Sequence, residues 1–270
     1  MINRLVTIYC ALTLLAMADP CLSGELCAGG REVSTQTEQY CLIMKDGKEV
    51  RHGLYKAFYP GGERKTEGEY ADGQKTGVWS AYSKNGRKIL EEGYLGGKRH
   101  GVLKKWYANG QIAFDGKYEN GNPVNERLEW FMDGKPMAKN IYSTQGGNVH
   151  AVRTTWYDNG QEQSVAEYID GKLAGVEKRW HKNGQKQSVV EYRGGQKNGT
   201  CREWYPNGKE KSLNHYSMGR KEGQAIEWYD NGQKKSAGEW KKGRHGKWTH
   251  WEKDGSVRQT LNYKDGKRVD

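Results

Sequence analysis

The chain has 270 residues and a formal net charge of +11, with only 34% hydrophobic residues but 37 glycines, 10 tryptophans and 17 tyrosines. So few apolar residues exclude a conventional single core, and the glycine and aromatic content favours a repeat array whose units pack only against their neighbours. The basic balance suits an anionic partner, such as an acidic protein, a phospholipid surface or an envelope polymer.

Residues 1–18 have the features of a secretory signal peptide. A positive charge at Arg4 precedes an apolar run from Leu5 to Ala18, which ends in small residues suited to cleavage. The run is shorter than the roughly 20 residues that a spanning helix needs. We expect cleavage there, with a cut after Gly24 or a retained anchor as the alternatives. The sequence therefore predicts an exported protein, either periplasmic or at the cell surface.

Four cysteines remain after removal of the signal peptide, an even number that suits an oxidising compartment. We expect a disulfide that fixes the N-terminal segment and pairs Cys27 with Cys41 or Cys21 with Cys27. Free thiols are the alternative. Residues 19–39 resemble a polar leader, and residues 40–53 resemble an incomplete repeat that caps the array.

An Asn-Gly turn or a close variant recurs every 24 residues, apart from one step of 26 and one of 23. An aromatic residue stands four residues before each turn glycine, and another stands eight residues after it. Asn, Asp and Gly tolerate the positive φ of tight hairpin turns, and the runs between turns have the length of strands. The sequence predicts an all-β fold: an elongated antiparallel meander of about nine hairpin repeats over residues 54–270, forming a single twisted or grooved sheet. The turn glycines are Gly62, Gly86, Gly110, Gly134, Gly160, Gly184, Gly208, Gly232 and Gly255.

Residues 121–155 interrupt this pattern. The segment carries two extra residues, and it contains Pro123, which cannot donate a hydrogen bond in a central strand. One interpretation is a tolerated loop insertion, and the other is a bend or binding loop that divides the array. The polar residues concentrated here are Glu126, Arg127, Glu129, His150 and Arg153, of which His150 and Arg153 are our candidate binding residues.

The periodic aromatic residues have two expected roles. The column that is mostly tryptophan, four residues before each turn glycine, is expected to form the buried rungs. The next residue along points to the opposite face of the strand. The candidates for exposed binding residues are therefore Tyr107, Tyr157, Tyr205 and Tyr229.

No residue set indicates catalysis, a metal or a cofactor. His52, His100 and His245 each stand directly before another glycine of the repeat, whereas His150 is expected to fall outside that pattern. The cysteine spacings do not form zinc knuckles. The sequence predicts a protein that is not an enzyme, with no metal site and no cofactor.

The positive charges are spread along the chain, which suits either an anionic partner or a solvated polar face. The export signal disfavours nucleic acid. The basic residues of the last units are Lys209, Lys211, Arg220, Lys221, Lys234, Lys235, Lys241, Lys242 and Arg244.

Units of the form WYxNGxxxSxxxYxxGxKxG, such as Trp204 to Gly223, resemble the MORN repeat (membrane occupation and recognition nexus). They are most similar to its bacterial variant in the YwqK antitoxin family, and the resemblance covers about residues 40–270. It implies a sheet used for protein binding, sometimes for lipid association, and in the antitoxin branch for neutralising a toxin. We expect a protein partner, with a toxin-neutralising or immunity-like role outside the cytosol. The alternative is an envelope-surface binder of anionic lipid or polysaccharide.

Overall fold

A computed structural model describes residue 27 and residues 29–270. The predicted signal peptide and Cys21 lie outside the described residues. The described part of the chain forms 21 β-strands and no α-helix, and hence no helix that is long and apolar enough to cross a bilayer. The strands are β1 (Arg31–Ser34), β2 (Glu38–Lys45), β3 (Lys48–Phe58), β4 (Arg64–Ala71), β5 (Gln74–Tyr82), β6 (Lys88–Leu95), β7 (Lys98–Trp106), β8 (Ile112–Glu119), β9 (Asn122–Trp130), β10 (Pro136–Gln145), β11 (Asn148–Trp156), β12 (Glu162–Ile169), β13 (Lys172–Trp180), β14 (Lys186–Arg193), β15 (Gln196–Trp204), β16 (Glu210–Ser217), β17 (Arg220–Trp228), β18 (Lys234–Trp240), β19 (Arg244–Trp251), β20 (Val257–Lys264) and β21 (Lys267–Arg268).

All described strands belong to one antiparallel sheet, in which each strand pairs with its neighbours in the chain. Among the described strands, β1 and β21 each have one partner and form the two edges, so the sheet is open. The predicted all-β meander of hairpins is confirmed.

The sheet begins earlier than the sequence suggested. Strand β1 lies inside the expected polar leader, and it pairs with β2, which forms a hairpin with β3. A disulfide joins Cys27 to Cys41 of β2, with 5.5 Å between the two Cα atoms. This bond ties the segment before β1 to the first hairpin, which explains how a short polar strand can hold its place at the edge.

The Asn-Gly turns connect neighbouring units as well as reversing the chain. At Gly208, φ is 81° and the backbone N–H donates to the Tyr205 carbonyl over 2.9 Å. The Asn207 side chain accepts a bond from the Lys209 N–H at 3.1 Å and donates to the Asp230 carbonyl in the next turn at 2.8 Å. Asn109, Asn159, Asn183 and Asn231 make the same two bonds, so these asparagines stabilise their own turns and connect each one to the following turn.

Most of the buried side chains follow two columns along the middle of one sheet face, called here the inner face. One column stands seven residues before each turn glycine, and the other stands six residues after it. Members of the two columns are direct cross-strand partners, as Glu177 and Val190 are. The first column is Tyr55, Trp79, Leu103, Arg127, Arg153, Glu177, Cys201, Ala225 and Trp248, and the second is Gly68, Glu92, Gly116, Asn140, Ala166, Val190, Asn214, Gly238 and Leu261.

The tryptophan column expected to form the rungs is only half-buried. Trp180 stands three residues after buried Glu177 on β13, so the two side chains point to opposite faces. The tyrosines that stand eight residues after the turn glycines lie on the inner face, where Tyr118 is buried. The two buried columns were not predicted from the sequence because their members differ in chemistry from unit to unit.

The irregular segment is explained by the loss of a β-bulge. The register shifts within eight hairpins, which are β2–β3, β4–β5, β6–β7, β8–β9, β12–β13, β14–β15, β16–β17 and β18–β19. In the remaining hairpin of this series, β10 and β11 pair without interruption. The shift occurs at the residue that stands nine positions before the turn glycine and has a positive φ. This residue is glycine in seven units and Asn125 in one. Ala151 occupies this place in β11, and the two extra residues lengthen β10 to 10 residues. Because bulges increase local twist, we expect less local twist in the regularly paired β10–β11 hairpin than in the bulged hairpins.

Candidate binding site in the middle of the array

The four tyrosines expected to be exposed are half-buried, which corrects that expectation. The hydroxyl of Tyr205 donates to the Trp228 carbonyl of the next unit over 2.9 Å, and the other three make the same bond over 2.6 to 3.0 Å. These rings therefore connect successive units, and Tyr205 also lines the groove on β13 to β16 that is described below. The four donors are Tyr107, Tyr157, Tyr205 and Tyr229.

His150 and Arg153 do not meet. Their side chains stand three residues apart on β11, and the pairing is continuous between them, so they point to opposite faces. The expectation that His150 falls outside the histidine pattern is also wrong. It stands ten residues before its turn glycine, as His52 and His100 do.

Arg153 instead joins a polar cluster on the inner face, called here the arginine cluster and formed by Arg127, Glu129, Asn140 and Arg153. Asn140 on β10 is the cross-strand partner of both Arg127 on β9 and Arg153 on β11. Arg153 Nη1 donates to Asn140 Oδ1 over 3.2 Å, and Arg127 Nη2 donates to Glu129 Oε1 over 2.8 Å. Glu129 Oε1 also lies 3.7 Å from Arg153 Nη1. Three of these residues were singled out from the sequence. Asn140 was not, although its position six residues after the turn glycine recurs in every unit.

Two donors of the arginine cluster have no partner among the described residues. These are Arg127 Nε and Asn140 Nδ2, both of which are buried. Asn140 is only 4% exposed. The cluster has two positive charges and one negative charge, and Tyr142 lies beside it. Burial raises the pKa of the Tyr142 hydroxyl, and the positive charge of Arg127 opposes that rise.

The arginine cluster lies in units where the positively charged residue occupies a different position of the repeat. In six units a lysine or arginine stands eleven residues before the turn glycine, and it lies 5.0 to 5.7 Å from the centre of the aromatic ring nineteen residues further on. Pro123, Val149 and Leu173 take this place in the middle units. In two of those units arginine instead occupies the buried column that stands seven residues before the turn glycine, as Arg127 and Arg153. The positive charge of these two units therefore lies at the centre of the inner face and not at its side.

A separate groove of about 460 Å³ crosses the inner face over β13 to β16. Its lining carries both signs of charge around aromatic rings. Buried Glu177 accepts a bond from Arg179 over 2.8 Å, and Tyr192 donates to the same carboxylate over 3.3 Å. Burial and the neighbouring Glu177 carboxylate raise the pKa of Tyr192 to about 12. The main lining residues are Glu177, Arg179, Tyr192, Lys197, Glu203 and Lys211.

The described residues contain no group of three or more His, Cys, Asp or Glu side chains that could hold a metal ion. Cys201 is the one free cysteine in this part of the chain, and it is buried in the inner column. Burial raises the pKa of its thiol. A buried thiol of this kind behaves as a small apolar side chain.

Comparison with known families supports the repeat assignment. Five segments match the family model described as MORN repeat variant, at residues 51–72, 99–120, 197–217, 221–242 and 244–265. Five units of the array are therefore similar to the MORN repeat variant. Each match begins at the cation that stands eleven residues before the turn glycine. Residues 73–98 and 121–196 are not matched, and the units of the second stretch lack that cation and carry the arginine cluster.

No curated protein matches the chain. Among solved structures, one similar chain belongs to the crystal structure of TcdB2-TccC3-Cdc42. It is 9% identical with a TM-score of 0.19, and the alignment covers 83% of this chain but 13% of that chain. A similarity this weak says nothing about function.

Proposed function

We propose that this MORN-repeat chain is a non-enzymatic binding protein that holds a protein partner against its inner face. The observation that carries the proposal is the groove over β13 to β16. Glu177 and Glu203 face Arg179 and Lys197 around Tyr192, so the lining offers both signs of charge and an aromatic surface. Protein interfaces combine these features, and complementary charge sets their specificity.

The basic residues of the last units also favour a protein over a polyanionic surface. Six of the nine are already engaged within the array and are therefore less available to an anionic lipid or polymer. Lys211 and Lys235 pair with glutamates, Lys209 donates to a turn carbonyl, and Lys221, Lys234 and Arg244 lie over aromatic rings.

The proposal is tested by crosslinking the full chain to proteins of an envelope extract and mapping the crosslinks. Arg179→Glu combined with Lys211→Glu should weaken capture of a mapped partner by about tenfold or more, because both changes reverse charge in the groove. Lys178→Glu combined with Arg202→Glu is the matched control. Those two residues are exposed on the opposite face, and Lys178 lies next to Arg179 on β13.

Crosslinks in the groove, together with unchanged capture by the control variant, would support the proposal. Crosslinks restricted to the opposite face would reject it. Binding to anionic vesicles or envelope polysaccharide that is lost steeply with added salt, without any protein captured, would favour the surface-binder alternative.

The antitoxin resemblance and the predicted export signal support a finer proposal, in which the partner is a toxin neutralised outside the cytosol. The test is co-expression of the captured partner with this chain. Protection of the cell should require the signal segment. Equal protection by a chain that lacks residues 1–18 would reject neutralisation outside the cytosol.

A further inference from the structure

The arginine cluster has the composition of a binding site for a single negative charge. It lies on β9 to β11, apart from the groove proposed above for a protein partner, so it does not depend on that proposal. Arg127 and Arg153 flank Asn140 from the two neighbouring strands. Glu129 neutralises one of the two guanidinium charges, and one positive charge remains.

The orientation of Asn140 determines which of its atoms remains free. Arginine can only donate hydrogen bonds. The Asn140 atom that faces Arg153 Nη1 at 3.2 Å must therefore be the oxygen, and the amide nitrogen points away from that arginine. Asn140 Nδ2 and Arg127 Nε are thus unpaired buried donors on directly opposed residues of β9 and β10.

Unpaired buried donors are costly, at about 1 to 3 kcal/mol each, and they are rare in native structures. An oxygen acceptor placed between Arg127 and Asn140 would satisfy both. The guanidinium groups remain partly open to solvent, since the Arg127 side chain is 25% exposed and the Arg153 side chain is 33% exposed. A ligand can therefore reach the exposed parts of the guanidinium groups from the inner face, and the side chains have to shift to bring the two buried donors into contact with it.

We infer that the arginine cluster binds a carboxylate, held by Arg127, Asn140 and Arg153. A carboxylate carries the one negative charge that balances the cluster, and its two oxygens match the planar fork of an arginine. Phosphate would bring a second negative charge next to Glu129. The carboxylate could belong to an acidic side chain of a protein or to a free small acid, and the binding chemistry is the same.

The array provides a matched control in Asn214, which occupies the same column and is 6% exposed. Its cross-strand partners are Cys201 and Ala225, so no arginine stands opposite. The unpaired atom of Asn214 is its oxygen, an acceptor, which does not attract an anion. Asn140→Asp places a carboxylate inside the cluster and should block the site, whereas Asn214→Asp should leave it open.

The experiment follows the Nε–H signals of isotope-labelled arginine by NMR in the full chain, and Arg127→Lys assigns the signal of Arg127. The probes are the capped tripeptide acetyl-Gly-Glu-Gly-amide, its Gln counterpart, sodium acetate and sodium phosphate, at constant ionic strength. The Glu peptide should shift the Arg127 signal in a saturable way. Asn140→Asp should weaken this binding by about tenfold or more, and Asn214→Asp should change it by less than about twofold.

Tighter binding of the Glu peptide than of acetate would identify a protein side chain as the source, and equal binding would identify a free acid. Both outcomes support the inference. An equal shift with the Gln peptide would overturn it, as would the absence of any saturable shift, which is expected if ordered water alone satisfies the donors. Tighter binding of phosphate would overturn the carboxylate assignment.

Discussion

The indole of Trp79 on β5 packs directly against the backbone of Gly68 on the neighbouring strand β4. A Cβ atom added to Gly68 would lie 2.3 Å from the ring, far inside van der Waals contact. Trp79 is 4% exposed, and its indole N–H donates to the Glu69 carbonyl over 3.1 Å. Trp248 and Gly238 form the same arrangement near the other end of the array. Members of the two columns that face each other across a register shift have thus matched their sizes, with a tryptophan packed over a glycine.

Gly68→Ala should therefore destabilise the protein by about 1 to 3 kcal/mol, the usual cost of overpacking. Glycine to alanine inside a strand normally stabilises by about 0.5 to 1 kcal/mol, so the sign of the change is diagnostic. Urea denaturation measures it. The cost of Gly68→Ala should shrink in a Trp79→Leu background, where the ring no longer fills the space. A stabilised Gly68→Ala protein would show that the ring can move aside freely.

The bonds from the tyrosine hydroxyls to the next unit predict a reciprocal pair of variants. Tyr205→Phe removes the bond to the Trp228 carbonyl and should cost about 0.5 to 1.5 kcal/mol. Phe131 stands at the same place in a middle unit and has no hydroxyl. Phe131→Tyr should add a bond to the Trp156 carbonyl and stabilise by a similar amount. Thermal and urea unfolding provide the measurement, and two changes of the same sign would contradict the assigned role.

The parts of this structure that could be predicted from sequence are those that repeat in chemistry as well as in position. The Asn-Gly turns and the aromatic residues at fixed offsets determine the hairpins, because each local choice recurs in every unit. The buried columns repeat in position only, with Trp79, Glu177 and Cys201 as equivalent residues. A search for recurring residue types misses such a column, and so it missed Asn140. The exposure of Tyr205 was also misjudged, since its bond reaches a residue 23 positions along the chain.

Stability should fall as the pH rises from about 10 to about 12. Burial and the interaction with Glu177 raise the pKa of Tyr192 to about 12, and burial with the hydrogen bond to Glu38 raises the pKa of Tyr55 to about 12. Unfolded tyrosine ionises near 10, about two pH units lower. The folded state therefore holds protons that the unfolded state has lost. The stabilisation is complete below about pH 10 and is lost as the pH approaches 12.

Urea unfolding across this pH range tests the tyrosine effect. Tyr192→Phe should flatten the decline, because one of the shifted groups has been removed. Tyr55→Phe should do the same through the other end of the array. If both variants declined as steeply as the wild type, the high-pH loss would have to arise from other groups.

The glycines nine residues before the turn glycines predict that opposite substitutions at equivalent positions are both destabilising. Gly101 has a φ of 85° and open space around its Cα, so Gly101→Ala should cost about 1 to 2 kcal/mol from backbone strain alone. Ala151 is the equivalent residue in β11, where no positive φ is needed. Ala151→Gly should also destabilise, by about 0.5 to 1 kcal/mol, because it adds freedom to the unfolded chain. A stabilising Ala151→Gly would mean that β11 favours a bulge despite its continuous pairing.

Asn140 and Asn214 predict opposite responses to the same substitution. In Asn140→Asp the new carboxylate stands opposite Arg127 and Arg153, which should lower its pKa and pair it with the unbalanced charge. In Asn214→Asp the carboxylate is buried opposite Cys201 and Ala225, and the unfavourable burial of a charge should destabilise the protein by about 1 to 3 kcal/mol.

The pH dependence separates the two effects of Asn→Asp. A carboxylate whose pKa is lowered by folding stabilises above its unfolded pKa of about 3.9, and this stability is lost as the pH falls. Asn140→Asp should therefore be at least as stable as the wild type at pH 7 and should lose that advantage below about pH 4. Asn214→Asp should be the less stable variant at pH 7 and should recover as acid neutralises it. Urea unfolding at both pH values measures this, and equal destabilisation of the two variants at pH 7 would show that the arginine cluster has no positive charge left to balance.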